Sequence, residues 1–362
     1  MKVGMLMVFQ NFKDQITDTE AYQRDMHIAD LAEPLGFDVL GAVEHHFNSY
    51  AMAPDGMQFL SYMAGRTKTI ELMTGAVILP WWDSPLRVTE KMILLDHLSQ
   101  GRALFGVGHG LAKREYDVFG VDMGEARERF DESAEIIIQG LESGVVEADG
   151  KFYKQPRTEV RPGPFASFQD RLYSVAMSSH SVPKVAAMGA VMMCFAQKPW
   201  EEMTDHFGTY RDLYKEHHNR PAPPPICVDF LCCDENGDRA QELAREHMAN
   251  YYVTVMEHYE MASNVFDGVK GYDDYATGAE VLRETGMEAA GEAFVDVNTW
   301  GTPQQILDKL ESRKQALGDF DLTVQISYGG MTLENAEKSM RLFAEKVLPE
   351  VQSWARVGEK AA

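Results

Sequence analysis

The sequence predicts an α/β fold, a closed (β/α)8 barrel in which parallel strands alternate with helices. Apolar runs of strand length alternate with longer amphipathic runs of helix length, and eight such pairs follow one another in order. Repeated strand–helix units imply parallel strands with right-handed crossovers, and eight units close a barrel. A doubly wound open sheet is the alternative, but no strand is followed by the Gly-x-Gly-x-x-Gly fingerprint of that architecture. We expect residues 1–362 to form a single domain.

The predicted strands are short and apolar and bounded by turn residues. They are Val3–Phe9, Val39–His45, a strand within Ile70–Pro80, Ala103–Gly108, Leu172–Ser178, Val191–Ala196, Ile226–Cys233 and Leu322–Tyr328. The predicted helices carry an apolar stripe with helical spacing. They are Glu20–Leu35, Gly56–Arg66, Leu86–Leu98, Arg127–Leu141, Val182–Met188, Glu201–His217, Asp238–Met261, Gln304–Leu317 and Glu334–Trp354. The helix Gln304–Leu317 is additional to the eight pairs and precedes the last strand.

Two segments do not fit the simple repeat. Residues 145–171 contain short strand-like pieces with glycines and prolines, which predicts a small β insertion between the fourth helix and the fifth strand. Residues 263–301 are long, rich in acidic residues and contain several glycines. Long irregular segments of compact domains are commonly lids or disordered, so we expect residues 263–301 to form a mobile lid.

The composition of the chain argues against some classes of binding partner. A formal net charge of −22 argues against nucleic acid and against anionic membrane surfaces, because both require clustered Lys and Arg. No run approaches the roughly 18 apolar residues of a membrane span, and the apolar N-terminal strand is too short for a signal peptide. The four cysteines lack C-x-x-C spacing. We therefore expect a cytoplasmic protein with reduced thiols.

The barrel topology places candidate catalytic residues at the carboxyl ends of the strands. The second strand ends in Glu44-His45-His46-Phe47, where a histidine facing the mouth could move a proton near neutral pH. Side chains alternate along a strand, so only one of His45 and His46 faces the mouth. A purely structural histidine is the alternative interpretation. One strand end cannot complete a zinc site, and His109 is the other histidine evident on this face, so we expect no metal.

Three further strand ends suggest a bound anion or planar ligand. Gly75 lies inside the third strand, which indicates a bulge, close ligand approach or simple packing. The fourth strand ends Gly106-Val107-Gly108-His109-Gly110-Leu111, whose alternating glycines allow a ligand near the backbone. Met177-Ser178-Ser179-His180-Ser181 leads into a helix, which suits anion binding or ordinary N-capping. Arg127 could supply a charge-assisted bond to the same anion.

At these residues the chain resembles the bacterial-luciferase-like flavin monooxygenases. The matching segments occur in order and span almost the whole chain: LGFDVLGAVEHHF, TGAVILP, ILLDHLSQGRALFGVGHGL, VFGVDM, KGYDD and GTPQQ. The resemblance implies a (β/α)8 barrel that uses reduced FMN and O2 to insert one oxygen atom into a small apolar organic substrate. A separate flavin reductase would supply the reduced FMN, and no NAD(P)H fingerprint is present in the sequence.

The resemblance also implies roles for individual residues. The first histidine of the EHH motif, His45, would be the catalytic histidine. A cis peptide bond between Gly75 and Ala76 would lie against the flavin ring. The remaining cofactor-binding residues would surround the FMN phosphate: His109, Gly110, Leu111, Arg127, Ala176, Met177, Ser178 and Ser181. The family pattern has Arg at position 109, Glu at position 177 and a reactive Cys at position 108, so His109, Met177 and Gly108 are departures from it.

Two other functions stay open from the sequence. One is a deazaflavin-dependent oxidoreductase on the same barrel, although the EHHF motif favours the monooxygenase. The other is a non-catalytic flavin-binding partner subunit, against which retention of His45 argues. The resemblance further implies a homodimer, with Gly56–Arg66 and Arg87–Leu98 as the candidate interface helices.

Overall fold

A computed structural model describes residues 1–356 of the chain, and within them a parallel sheet closes on itself as a barrel. The parallel strands in chain order are β1 Val3–Met7, β2 Val39–Ala42, β3 Glu71–Thr74, β4 Val77–Ile78, β5 Ala103–Gly108, β8 Leu172–Val175, β9 Val191–Phe195, β10 Ile226–Cys233, β11 Thr299–Gly301 and β12 Asp321–Gln325. Strand β1 pairs with β2 on one side and β12 on the other, and β9 pairs with β10. The β3 and β4 segments together form one barrel strand, so eight strands close the ring and the predicted (β/α)8 fold is confirmed.

The helices pack around this barrel. They are α1 Asp18–Leu31, α2 Gly56–Ala64, α3 Pro85–Ser99, α4 Lys113–Phe119, α5 Ala126–Ser143, α6 Ser181–Met188, α7 Thr204–His218, α8 Gly237–His258, α9 Asp273–Thr285, α10 Met287–Val297, α11 Pro303–Leu317, α12 Leu333–Lys346 and α13 Leu348–Ser353. A separate antiparallel hairpin, β6 Val145–Asp149 and β7 Lys154–Glu159, lies within the predicted insertion.

Local sequence signals explain several helix starts. Thr17 caps α1 in a capping box with Glu20, and Thr302 caps α11 in the same way with Gln305. Asn236 caps α8 by accepting two backbone N–H groups. The strands need no such signals, because β1, β2, β5 and β10 are buried along their whole length, as parallel strands covered by helices must be.

One glycine shows how closely the barrel strands approach. A Cβ on Gly106 would lie 2.0 Å from the carbonyl oxygen of Thr74 on the neighbouring strand. The Thr74 hydroxyl fills this junction by bonding to both the N–H and the carbonyl of Gly106, at 2.8 and 2.9 Å. A side chain at position 106 would therefore separate the third and fourth barrel strands, just below the candidate site.

The structure differs from the sequence prediction in several places, among them the added strand β11 and the division of the predicted helix Glu334–Trp354 into α12 and α13. The third strand is divided at Gly75 and Ala76, and a short helix, α4, follows β5 where no element was predicted. Residues 273–297 form α9 and α10, so the expectation of an irregular segment is wrong there. Three glycines lower the helix propensity of residues 273–297. Tertiary packing nevertheless stabilises α10, since the ring centroids of Phe294 and of Tyr252 in α8 lie 5.2 Å apart.

Over residues 1–356, none of the helices has the length and hydropathy needed to cross a membrane.

Candidate active site

His45 lies three residues beyond the end of β2, at the carboxyl-end mouth of the barrel. Its side chain is 13% exposed, and its ring is held at both nitrogens. Nδ1 lies 3.3 Å from Oε1 of Glu115, and Nε2 lies 3.1 Å from the hydroxyl of Tyr259. An imidazole anchored on both sides keeps one orientation and one tautomer.

Glu115 of α4 is the acidic residue that orients His45. Its side chain is fully buried, and Oε1 also accepts the backbone N–H of His46 at 2.6 Å. Burial alone would raise the pKa of Glu115, but the nearby rings of His45 and His258 outweigh it and lower that pKa to about 2. The ionised carboxylate therefore accepts the Nδ1–H of His45 and leaves the lone pair of Nε2 facing Tyr259.

Tyr259 and His258 enter the site together from the end of α8. Burial raises the pKa of the Tyr259 hydroxyl well above its ordinary value, so this hydroxyl stays protonated and can donate to Nε2 of His45. His258 is 1% exposed, stacks on Tyr50 with ring centroids 4.5 Å apart, and places Nε2 3.6 Å from Oε2 of Glu115. Burial lowers the pKa of His258 to about 4, so its ring is neutral at physiological pH.

The other two residues of the EHH motif connect this strand end to the next strand. Glu44 is buried and accepts the N–H of Ile78 at 2.9 Å and the indole N–H of Trp82 at 3.1 Å. The His46 ring has different neighbours from the His45 ring: its Nε2 lies 3.3 Å from Glu44, and the ring lies against Trp81. Burial raises the pKa of Glu44. His46 and Glu44 thus support the loop, whereas His45 faces the mouth.

The predicted flavin-ring residues lie beside this motif. The peptide bond between Gly75 and Ala76 is cis. The Gly75 N–H donates to the carbonyl of Ala42 at 2.7 Å, directly at the end of β2. A Cβ on Gly75 would lie 2.7 Å from Cδ1 of Leu6, so a larger residue would displace a core side chain.

Ser178 and Ser181 lie together where β8 leads into α6. Both side chains are buried, and their hydroxyl oxygens are 3.1 Å apart. The Ser178 N–H donates to Ser181 Oγ at 3.1 Å, and the Ser181 N–H donates to Ser178 Oγ at 3.3 Å. These donors at the N-terminus of an eight-residue helix could turn to an anion, since hydroxyls and free N–H groups there favour negative charge.

His109 and Arg127 meet on Tyr272, which belongs to the predicted lid segment. The Arg127 guanidinium donates from Nε to the carbonyl of Gly271 at 2.9 Å, also donates to it from Nη2, and lies 5.8 Å from the Tyr272 ring centroid. His109 Nδ1 is 2.9 Å from the Gly110 carbonyl and 3.2 Å from the Tyr272 hydroxyl. Burial and then the Arg127 charge lower the pKa of His109 to about 4, so the ring is neutral at pH 7.

The four other predicted cofactor-binding residues shape the backbone between these groups. Gly110 has φ +80°, and a Cβ there would lie 2.8 Å from Cγ2 of Ile78. Leu111 packs on the small apolar cluster of Trp81, Tyr116, Phe266 and Tyr272. Ala176 is buried and accepts the Cys194 thiol at 3.1 Å, while the Met177 sulfur accepts the N–H of Phe195 at 3.2 Å.

The structure thus places the predicted phosphate residues in two groups on adjacent strands. His109 follows β5, Ser178 and Ser181 follow β8, and these strands pair with Val107 opposite Ser174. His109, Ser178 and Ser181 therefore follow the carboxyl ends of neighbouring strands, which is the end of the barrel at which His45 follows β2.

Sequence reasoning missed Glu115, His258, Tyr259 and Tyr272. Tyr272 had a signal, because it lies in the KGYDD segment on which the family resemblance was based. Glu115 and His258 had none, since they come from a short unpredicted helix and from a helix end more than 200 residues away from His45. Contacts between such distant residues are set by tertiary packing and not by local pattern.

Comparison with known proteins identifies the family to which the chain belongs. The family model described as luciferase-like monooxygenase matches residues 1–319. An alkanal monooxygenase alpha chain from the Kryptophanaron alfredi symbiont is 27% identical over 357 residues, which cover 96% of this chain and 98% of that protein.

Solved structures share the fold. The monooxygenase RslO1 from Streptomyces bottropensis aligns with a TM-score of 0.78 and 25% identity, over 97% of this chain and 100% of that one. The oxygenating constituent of 3,6-diketocamphane monooxygenase from Pseudomonas putida, a type II Baeyer–Villiger enzyme in complex with FMN, aligns with a TM-score of 0.76 and 16% identity, over 97% and 99%. The chain therefore belongs to the luciferase-like monooxygenases, a family of flavin-dependent oxidoreductases.

Proposed function

We propose that this chain is the oxygenating component of a two-component monooxygenase, which receives reduced FMN from a separate reductase and inserts one oxygen atom of O2 into a small apolar organic substrate. The observation that carries the proposal is the His45–Glu115–Tyr259 arrangement after β2, the strand whose last carbonyl, that of Ala42, accepts the N–H of Gly75. It provides an oriented proton acceptor at the place where the family binds a flavin ring. The Pseudomonas putida protein on the same fold supports the choice of FMN and of a separate reductase, since it is an oxygenating constituent in complex with FMN.

The residues present fit FMN. Ser178, Ser181 and Arg127 offer hydroxyl, N–H and guanidinium donors to a phosphate, and the Ser donors are now turned only to each other. Gly110 has a positive φ and lies against Ile78, Trp81 and Tyr116, so it turns the backbone after His109 where no side chain would fit. His109 is neutral and would bind as a hydrogen-bond partner instead of as a charge.

The chain's own residues would bind, orient and move protons, while bound reduced flavin supplies the reducing equivalents for O2. His45 Nε2 would accept or return a proton at the substrate, with Glu115 stabilising the ring when it is charged and Tyr259 relaying the hydrogen bond. Tyr272, Phe266 and Trp81 would exclude water from the phosphate side of the mouth.

The segment 263–301 is proposed as the lid over this mouth. Its first part carries Gly271, which holds Arg127, and Tyr272, which contacts His109. The first part of the segment thus already lies against the residues proposed to bind the phosphate, and opening of the lid would break these contacts.

A homodimer is proposed through α2 and α3, the helices on which the sequence pointed to apolar faces. Tyr62, Leu94 and Leu98 are 56%, 48% and 52% exposed on these two helices. Burial of such side chains against a second copy of the chain would remove apolar surface from water.

Light scattering at micromolar concentration should give twice the 40.7 kDa chain mass, and a mass of one chain would contradict the proposed homodimer.

A direct experiment separates this function from the deazaflavin alternative. The protein is titrated without oxygen with reduced FMN, with oxidised FMN and with a reduced deazaflavin, and each mixture is then exposed to O2. We expect reversible binding of FMN, tighter when reduced, followed by rapid flavin oxidation in the protein. Binding of the deazaflavin alone, without reaction with O2, would contradict the proposed function.

A further inference from the structure

The side chains around Glu115 offer more nitrogen and oxygen atoms than are needed to orient His45 as a proton acceptor. His45, Glu115 and His258 each offer one donor atom, and these three atoms all lie within 4.8 Å of one another. The set comes from three separate elements: the loop after β2, helix α4 and the last turn of α8. Two imidazoles and one carboxylate are a common donor set for zinc and other divalent transition metals.

The spacing suits a common ion. Nδ1 of His45 lies 3.3 Å from Oε1 of Glu115, and Nε2 of His258 lies 3.6 Å from Oε2. Two ligands at about 2.0–2.2 Å from one tetrahedral ion lie about 3.3 Å apart. The two contacts are close to this spacing, and one donor atom from each residue lies within 4.8 Å of the other two, so side-chain rotations would be needed to bring all three donor atoms to one ion.

The lack of a hydrogen-bond partner for His258 in the described part of the chain is a second, independent observation that suggests a ligand in this cluster. Its side chain is buried, and neither ring nitrogen has a hydrogen-bond partner among residues 1–356. Buried polar atoms are nearly always paired, so an orphaned imidazole aimed at a carboxylate suggests a ligand between them.

Contacts outside the three ligands would hold two of them in place. The backbone N–H of His46 donates to Glu115, and the Tyr259 hydroxyl lies 3.1 Å from the outer nitrogen of His45. With an ion on Nδ1, the Nε2–H of His45 would donate to the Tyr259 hydroxyl, as the second nitrogen of a metal-binding histidine usually does, and the direction of this hydrogen bond would reverse. Three protein ligands leave a fourth position open, which is typical of exchangeable sites and not of closed structural ones.

We propose that His45, Glu115 and His258 form an exchangeable binding site for a divalent transition metal ion of the Zn²⁺ type. A metal on Nδ1 leaves the ring proton on Nε2, so a metal-bound His45 could no longer accept a proton there. Metal binding would then oppose the monooxygenase reaction; this consequence rests on the proposed function, whereas the site itself does not.

The test is titration of the purified, chelator-treated full chain with Zn²⁺ by calorimetry and with Co²⁺ by visible absorption, without flavin. We expect one tight site per chain and an intense Co²⁺ absorption band typical of a low-coordinate His and carboxylate site. Glu115→Gln and His258→Gln should each weaken Zn²⁺ binding at least 100-fold. His247→Gln is the matched control, because His247 is another buried histidine of α8 but bonds to the Gly329 carbonyl, and it should bind Zn²⁺ as the unchanged chain does.

Two results would overturn the site. One is the absence of a stoichiometric site in the unchanged chain, and the other is unaltered Zn²⁺ affinity in His258→Gln, which would place the ion on surface histidines. Should the variants fail to fold, anomalous diffraction from zinc-soaked crystals of the unchanged chain decides: density must lie between the three side chains. If Zn²⁺ binds there and product formation is not inhibited, the metal site stands and the proton role of His45 fails.

Discussion

The two sides of the barrel mouth differ in how their polar groups are satisfied. On the His45 side, a buried carboxylate and a tyrosine hydroxyl already hold the ring in the free protein, and the His46 N–H holds the carboxylate. On the phosphate side, Arg127 bonds to a lid carbonyl and Ser178 and Ser181 bond to each other. The first region is preorganised for proton transfer, whereas the second must exchange internal partners for a ligand. Substitutions on the His45 side should therefore lower product formation, whereas substitutions on the phosphate side should weaken FMN binding.

The largest expected effect is on His45. His45→Ala should lower product formation by about 10²–10⁴-fold, the usual contribution of a positioned general acid or base. Flavin oxidation should continue as hydrogen peroxide release, and FMN affinity should be unchanged. The measurement is product formed per flavin oxidised, together with the thermal midpoint.

His46→Ala is the control for that variant. His46 packs against Trp81 and contacts Glu44 on the other side of the strand end, so its loss should lower the thermal midpoint and leave product per flavin unaltered. A lower thermal midpoint with unaltered product per flavin in both variants would mean that the two histidines are structural, and equal loss of coupling in both would contradict the separate roles.

A smaller effect is expected on the phosphate side. Arg127→Gln should weaken FMN binding by about 10–100-fold, as expected for loss of a hydrogen bond between charged groups, and should leave riboflavin binding unchanged. Arg129→Gln is the matched control, because Arg129 lies on the same helix but pairs with Glu125 and Phe152. Equal affinities for FMN and riboflavin in the unchanged protein would refute a phosphate site at Arg127, Ser178 and Ser181.

The smallest effect concerns His109 and acid stability. Its pKa is lowered to about 4 by burial and by Arg127, with Lys184 adding to the effect and the Gly110 carbonyl opposing it. The unfolded chain binds a proton here below about pH 6.5 and the folded chain only near pH 4, so acid favours unfolding between these values.

Lowering the pH from 7.5 to 5.5 should therefore cost about 1 kcal/mol of unfolding free energy through His109 alone. The measurement is the free energy of unfolding in urea at both pH values. His109→Gln cannot titrate and should lose about that much less than the unchanged chain. An identical pH dependence in both proteins would show that His109 is not buried in the neutral form.

The sequence predicted the features that depend on local pattern and missed those that depend on tertiary packing. The barrel strands Ala103–Gly108 and Ile226–Cys233 were predicted with their observed bounds, because buried parallel strands are continuous apolar runs. His45 and Ser181 lie at strand and helix ends, where position alone predicts exposure to the mouth. Glu115 and His258 could not be predicted, because only the packing of α4 and α8 brings them to His45. Residues 273–297 were mistaken for irregular chain, since their helices depend on tertiary contacts that outweigh glycine content.

Isotope labelling tests the account's central claim most directly. The protein is supplied with reduced FMN, ¹⁸O₂ and a panel of long-chain alkanals and cyclic ketones, and the products are analysed by mass spectrometry. A flavin monooxygenase should give a product with one ¹⁸O atom from O2, and His45→Ala should give mainly hydrogen peroxide. A product without label, or conversion of substrate that proceeds equally well without oxygen, would contradict the account.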